Sequence, residues 1–133
     1  MLTVVGKETD MVRPPQISGA EWEVMTVLWE SSPLTGSEVA ERIGGHPKTV
    51  KTLLSRLVRK GALRYTEEGN RYLYRPTLPR EKYVAEESKS FLQRVFGGEA
   101  TPALVHFVET VDLSDEEIQE LRELLDRRAK GEK

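Results

Sequence analysis

The stretch from Pro47 to Gly61 leaves this chain little freedom. Proline suits the first position of a helix, and glycine suits the left-handed stop just past its last turn. Between them Val50, Leu53, Leu54, Leu57 and Val58 recur at i, i+3, i+4, i+7 and i+8, which predicts one apolar helical face. At about 100° per residue the opposite face carries Lys48, Lys51, Thr52, Ser55 and Arg59, with Arg56 on its flank. From Arg42 to Thr66 there are seven Lys or Arg and not one Asp or Glu. A solvated surface helix usually mixes Glu with Lys four residues apart. Taken alone, the basic helix reads equally as a solvated face or as the reading element of a DNA-binding protein. Its flanks decide between the two.

Upstream, Ser18-Gly19-Ala20-Glu21 has the form of a capping box, in which serine and glutamate satisfy the free amides of a first turn. Trp22, Met25, Leu28 and Trp29 then share one face to about Glu30, and Ser31 to Leu34 read as a loop. The paired tryptophans are expected in the core. Thr35-Gly36-Ser37-Glu38 is a second capping box, opening a short helix with Val39 and Ile43 inward and Gly44-Gly45 at its end. Three short helices, the second and third joined by a tight glycine turn, make a helix-turn-helix.

Downstream of Gly61 the period changes to two. Leu63 and Tyr65 alternate with Arg64, and Arg71, Leu73 and Arg75 alternate with Tyr72 and Tyr74, around Glu67-Glu68-Gly69-Asn70. This predicts a β-hairpin ended by Pro76, with its tyrosines packed on the domain. A helix-turn-helix followed by such a wing is a winged helix, whose helix enters the major groove while the hairpin leans on the backbone.

The remainder is helical. Val84, Phe91, Leu92, Val95 and Phe96 share a face over roughly residues 80–96, stopped by Gly97-Gly98. Thr101-Pro102 opens a short helix with Leu104, Val105, Phe107 and Val108. Ser114-Asp115-Glu116-Glu117 is a third capping box ahead of the stripe Ile118, Leu121, Leu124 and Leu125. More apolar faces lie here than three helices can bury by themselves, which points to pairing with a second copy.

Charge separates the halves. Residues 17–78 hold nine bases and seven acids, whereas residues 79–133 hold nine bases and thirteen acids. The net charge of −2 therefore hides a basic N-terminal half, and local distribution is what bears on nucleic acid. The expected organisation is a flexible leader over 1–16, ending in Pro14-Pro15, a winged-helix DNA-binding domain over 17–78 and a helical dimerisation domain over 79–133. The fold class is mainly α with a small β-hairpin wing: a winged helix-turn-helix domain plus a three-helix C-terminal dimerisation domain.

Several residue patterns resemble the penicillinase and methicillin-resistance repressors of the BlaI/MecI type. They are Ile17-Ser18-Gly19-Ala20-Glu21-Trp22-Glu23-Val24-Met25 with Leu28-Trp29, then Pro47 to Leu57, then Arg71-Tyr72-Leu73-Tyr74-Arg75-Pro76, and finally Phe107-Val108-Glu109 with Leu113-Ser114 and Glu117-Ile118. The resemblance covers about residues 17–129 in one register. It implies a cytoplasmic, bacterial, homodimeric winged-helix repressor of palindromic double-stranded DNA operators. Lys48, Thr49, Lys51, Thr52, Ser55, Arg56 and Arg59 would then face DNA. Thr52 and Ser55 would lie near base edges, the cations would be shared between phosphates and guanine, and Arg71 would sit on the backbone. Dimerisation would fall to Phe91, Val95, Leu104, Phe107, Val108, Ile118, Leu121, Leu124 and Leu125.

Two positions depart from the family pattern. Gly45-His46 stands where members commonly carry Trp-Ser, so His46 either weakens the helix cap or supplies a phosphate contact of its own. His106-Phe107 stands where better-known members carry the Asn-Phe bond at which they are cleaved. The resemblance makes His106-Phe107 the candidate cleavage bond, with a membrane-anchored sensor metalloprotease as the partner that relieves repression.

Other functions have less behind them. The chain has no cysteine, which excludes a disulfide framework and a thiolate metal site. The two histidines, His46 and His106, lie in different halves without metal or nucleophile-base spacing, so neither an enzyme nor a metal or other cofactor is expected. Asp115, Glu116 and Glu117 read as a helix N-terminal acid cluster. No apolar run approaches the roughly 18 residues of a membrane span, so no insertion into a membrane is expected. The alternative to a repressor is a winged-helix interaction module whose basic face docks an acidic protein without reading DNA. A repressor relieved by a small ligand held between the halves ranks last, because no residue pattern marks such a pocket.

Overall fold

The computed structural model describes residues 14–131. Most of the expected leader, residues 1–13, lies outside the described residues. The order is α1 (Gly19–Glu30), α2 (Gly36–Ile43), α3 (Pro47–Lys60), β1 (Leu63–Glu68), β2 (Arg71–Pro76), α4 (Arg80–Phe96), α5 (Ala100–Thr110) and α6 (Asp115–Ala129). This is the winged helix-turn-helix with three further helices that the patterning implied.

The helix starts are set by local chemistry. Ser18, Thr35 and Ser114 each accept from the backbone amide three residues on, and Glu21, Glu38 and Glu117 return the bond to the cap amide. At the other end of α2, Gly44 takes φ +78°, and Gly61 closes α3 at φ +86°. Side chains strongly resist that left-handed region, so the two glycines fix where the chain turns.

The chain forms two units, which divide between Lys89 and Ser90, inside α4 rather than at its start. In the first unit Val24, Met25 and Leu28 of α1 pack with Val39 and Ala40 of α2 and with Val50, Leu54 and Leu57 of α3. Ala62, Leu63 and Tyr74 bring the hairpin onto the same core, and Tyr83 brings the first turns of α4. The Tyr83 ring lies 5.3 Å from Trp29, which lies 5.3 Å from Trp22, and the Trp29 indole donates to the Leu78 carbonyl at 3.1 Å. The tryptophans are half-buried at the edge of this core.

β1 and β2 pair antiparallel from Leu63 opposite Pro76 to Glu68 opposite Arg71. Glu67 and Glu68 therefore belong to the strand, and Gly69-Asn70 alone makes the turn, with Gly69 at φ +64°. Residues 31–34, expected as plain loop, add a backbone pair to the sheet. Leu34 N–H donates to the Tyr74 carbonyl at 3.2 Å, and Tyr74 N–H donates to that of Leu34 at 2.8 Å. The Thr77 hydroxyl donates to the Gly61 carbonyl at 2.7 Å, tying the end of the hairpin to the end of α3.

In the second unit Ala103 is the one buried residue among those described. The Phe91 ring meets Phe96 edge to face at 6.0 Å and stacks with Phe107 at 6.3 Å. Among the described residues, ten of the eleven exposed large apolar side chains lie here, including Leu125 at 63%, Val108 at 60% and Leu104 at 59% exposed. Among the described residues no helix is long and apolar enough to cross a membrane.

Candidate nucleic-acid interface

The α3 face opposite the core is the centre of the site. Val50, Leu54 and Leu57 are buried, with Leu53 and Val58 half-buried beside them, so the helix can rotate in neither direction. Lys48, Thr49, Lys51, Thr52, Ser55, Arg56 and Arg59 are all exposed. Thr52 donates its hydroxyl to the Lys48 carbonyl at 3.1 Å, one turn back along the helix. Arg71 is exposed at the start of β2, immediately after the turn.

His46 keeps the helix capped. Its Nδ1 accepts the Lys48 amide at 3.1 Å, doing the work of a serine hydroxyl at the same position. That bond requires Nδ1 without a proton, so the ring's remaining hydrogen sits on Nε2.

One cation of the basic run is turned away. Lys60 donates to Glu21 Oε1 at 2.6 Å and to the Gln16 carbonyl at 3.1 Å. The Glu21 side chain is only 2% exposed. The same carboxylate oxygen accepts the Ser18 amide at 2.8 Å, so the capping glutamate of α1 also anchors the last residue of α3. Burial works to raise the Glu21 carboxyl, but the Lys60 ammonium and the Ser18 amide outweigh it and hold the group below its ordinary value. Nothing local marks Glu21 as more than a cap, because its second partner lies 39 residues away.

Beside α3 the surface opens into a groove of about 700 Å³ between the helix-turn-helix and the hairpin. Leu54 and Tyr74 line it, together with Thr35, Gly36 and Ser37 of the α2 start and Lys51 of α3. Glu67, Asn70, Arg71 and Tyr72 complete it from the hairpin. Lys51 and Arg71, read separately from sequence, are thus brought to one cleft. Glu38, held below the usual carboxylate range first by its Thr35 hydrogen bonds, also feels the Arg71 charge. Thr35, Ser37, Asn70 and Tyr72 were not singled out from sequence as lining a site, since each also has a routine reading as cap, turn or packing residue. Tyr72 stacks on Tyr65 at 4.3 Å but remains 42% exposed, whereas Tyr74 is packed inward as expected.

A family model described as penicillinase repressor matches residues 17–127. The chain belongs to that family. It is 39% identical over 120 residues to the penicillinase repressor of Bacillus licheniformis, across 87% of this chain and 94% of that protein. It is 32% identical over 117 residues to the methicillin resistance regulatory protein MecI of Staphylococcus aureus strain N315, across 85% and 95%. The solution structure of the DNA-binding domain of the repressor BlaI is 40% identical, covering 55% of this chain and 94% of that one with a TM-score of 0.48. The family resemblance read from the motifs is borne out, and the chain is a repressor-family protein rather than an enzyme.

In this penicillinase-repressor relative the remaining expected site residues lie in the second unit. Leu104, Phe107, Val108, Ile118, Leu121, Leu124, Leu125 and Val95 are exposed, and Phe91 is half-buried against Phe107. His106 and Phe107 are both exposed, but their shared peptide lies inside α5. The His106 carbonyl accepts from the Thr110 hydroxyl at 2.7 Å and the Phe107 carbonyl from the Val111 amide at 2.9 Å.

Proposed function

We propose that this chain is a homodimeric transcriptional repressor that reads a near-palindromic DNA operator through α3 and the hairpin. The observation that carries the reading is the acid-free outer face of α3, whose seven basic and hydroxyl residues are all exposed beside Arg71. Helix burial through Leu54 and Leu57 holds that face rigid, as a reading element must be. Thr52, Ser55 and Arg56 serve base edges, while Lys48, Arg59 and Arg71 serve phosphates. The organisation proposed is a reading domain followed by a dimerising one. The uncovered apolar side chains of α5 and α6 support pairing with a second copy, which would set two α3 helices about one DNA turn, roughly 34 Å, apart.

A dimer on a promoter excludes polymerase, and relief by a membrane-anchored metalloprotease acting at His106-Phe107 completes the cycle. Family membership and the exposure of both residues support that step. Because the bond lies within a hydrogen-bonded helix, a protease has to unwind α5 before cutting.

The test is a gel shift on the DNA upstream of the chain's own coding sequence, with unrelated DNA as competitor and a salt titration. The expected result is specific retardation, with log K falling by about 0.9 per phosphate neutralised for each decade of salt. A flat salt response, or equal competition by unrelated DNA, overturns the reading.

A further inference from the structure

We propose that His46 is a positioning residue for the reading helix that works only while its ring is neutral, so that mild acid removes base discrimination and leaves the hold on phosphates. The inference rests on operator reading by α3 and adds a proton-sensitive control to it.

Three observations carry it. First, the ring acts as an acceptor. Its Nδ1 takes the Lys48 amide at 3.1 Å, and a proton on Nδ1 occupies the lone pair that makes this bond. Imidazole ordinarily changes charge between about pH 5 and 8, whereas a hydroxyl cap keeps its acceptor throughout. Second, His46 serves the start of α3 twice. Pro47 has no amide to offer, the ring holds the amide of Lys48, and the His46 carbonyl holds that of Val50 at 3.0 Å. The Lys48 carbonyl accepts the Thr52 hydroxyl at 3.1 Å, so a run of bonds joins the ring to a residue assigned to base edges. Third, no acid stands ready to hold the ring in place once it is charged. His46 lies between α2 and α3, and the charged residues those helices bring near the turn are Glu41, Arg42, Lys48 and Lys51. Among the described residues no carboxylate is bonded to the exposed ring. An imidazolium there faces the positive end of the α3 dipole and turns away, releasing the Lys48 amide. The first turn then loses the fixed geometry that base reading needs, while the added charge favours phosphates of any sequence.

The experiment compares the full chain with His46→Ser from about pH 7.5 to about pH 5.5, at a constant salt of roughly 0.15 M. Each is titrated by anisotropy with the upstream fragment and with an unrelated fragment, and each affinity ratio is referred to its own value at the upper pH. The parent's ratio should fall at least about fivefold in acid, as expected for a cap of ordinary strength lost in each half-site, while binding to unrelated DNA holds or rises. The ratio for His46→Ser should stay within about twofold, because its hydroxyl gains no proton over this range. His106, the second histidine, is common to both proteins, and the Glu21 carboxyl, held below its ordinary value of 4.5, stays ionised throughout. Long-range proton–nitrogen spectra of the free parent should show the proton on Nε2 at the upper pH. In acid both ring nitrogens should be protonated and the Lys48 amide resonance displaced, and circular dichroism checks the fold of the variant. A parent ratio that ignores pH, an equal fall in His46→Ser, or a proton on Nδ1 at the upper pH overturns the proposal while leaving operator reading intact. A parent chain that does not discriminate the upstream fragment at the upper pH overturns operator reading and the proton control together.

Discussion

Replacing Lys60 by Met removes a charge that a simple count of the basic run would assign to DNA. The structure gives that charge to Glu21, whose carboxylate is 2% exposed and accepts Lys60 Nζ at 2.6 Å and the Ser18 amide at 2.8 Å. Lys60→Met keeps the aliphatic stem and leaves a buried carboxylate with the amide alone. Breaking a fully buried pair from one side costs about 3–5 kcal/mol. The Lys60 side chain is 37% exposed, so water can take part of its place, and roughly 1.5–3 kcal/mol is the reasonable expectation. Glu21→Gln is the contrasting variant. Glutamine still serves a capping box, and the freed ammonium can turn to water, so the cost should be about 1 kcal/mol or less. The double variant should recover most of the Lys60→Met loss. Urea denaturation at pH 7, followed by the tryptophans of the first unit, measures all three.

The pH dependence of this pair follows from its sign. The Glu21 carboxyl is held below its ordinary value of 4.5 in the folded chain, so the parent's stabilisation is present above that value. It is lost as pH falls through the folded value. In Lys60→Met the ammonium no longer helps to hold the carboxyl down, so the carboxyl moves up relative to the parent, and the penalty for the variant should shrink on acidification from pH 7 towards pH 4. Equal losses for Lys60→Met and Glu21→Gln, or a penalty that grows in acid, would refute the reasoning.

Other variants probe the remaining elements. His46→Ala removes the acceptor for the Lys48 amide and should cost about 0.5–2 kcal/mol, while His46→Ser should restore most of it; equal melting temperatures for the two would dismiss the cap. Tyr83→Ala empties a site that is 2% exposed and should cost roughly 3–5 kcal/mol in the unfolding of the first unit, with a change in Trp29 fluorescence. Leu104→Glu with Val108→Glu, at side chains 59% and 60% exposed, should convert a dimer to monomer by light scattering without loss of helix by circular dichroism. An unchanged mass would move the pairing surface elsewhere.

Much of the architecture was legible because it is written in short-range chemistry. Ser18, Thr35 and Ser114 announce helices through a partner three residues away, and Gly61 announces a stop through its own backbone. The basic face of α3 follows from a period that needs no knowledge of the rest of the fold. What escaped depends on distant partners. The Leu34–Tyr74 pair is one residue on each side, too short to leave an alternating pattern. Tyr83 falls outside the apolar stripe read for α4, yet its ring enters the core of the first unit. Lys60 cannot be told from its neighbours by charge, since only the fold determines which cation meets Glu21. The groove is illegible for the same reason, because its walls come from α2, α3 and the hairpin.

The Leu34–Tyr74 pair also bears on how these proteins tolerate crowding. The outward-facing backbone groups of β2 fall on alternate residues, and those of Tyr74 are occupied by Leu34. Pro76, two residues on, has no amide to offer, so Tyr72 alone keeps both groups on that edge. An exposed two-stranded ribbon is ordinarily a template on which a further strand can add. Here one rim is capped by a single residue and a proline, which leaves too short a ledge for a neighbouring molecule to extend. Copies gathered at high local concentration, as on adjacent DNA sites, are thereby kept from joining sheet to sheet along that rim.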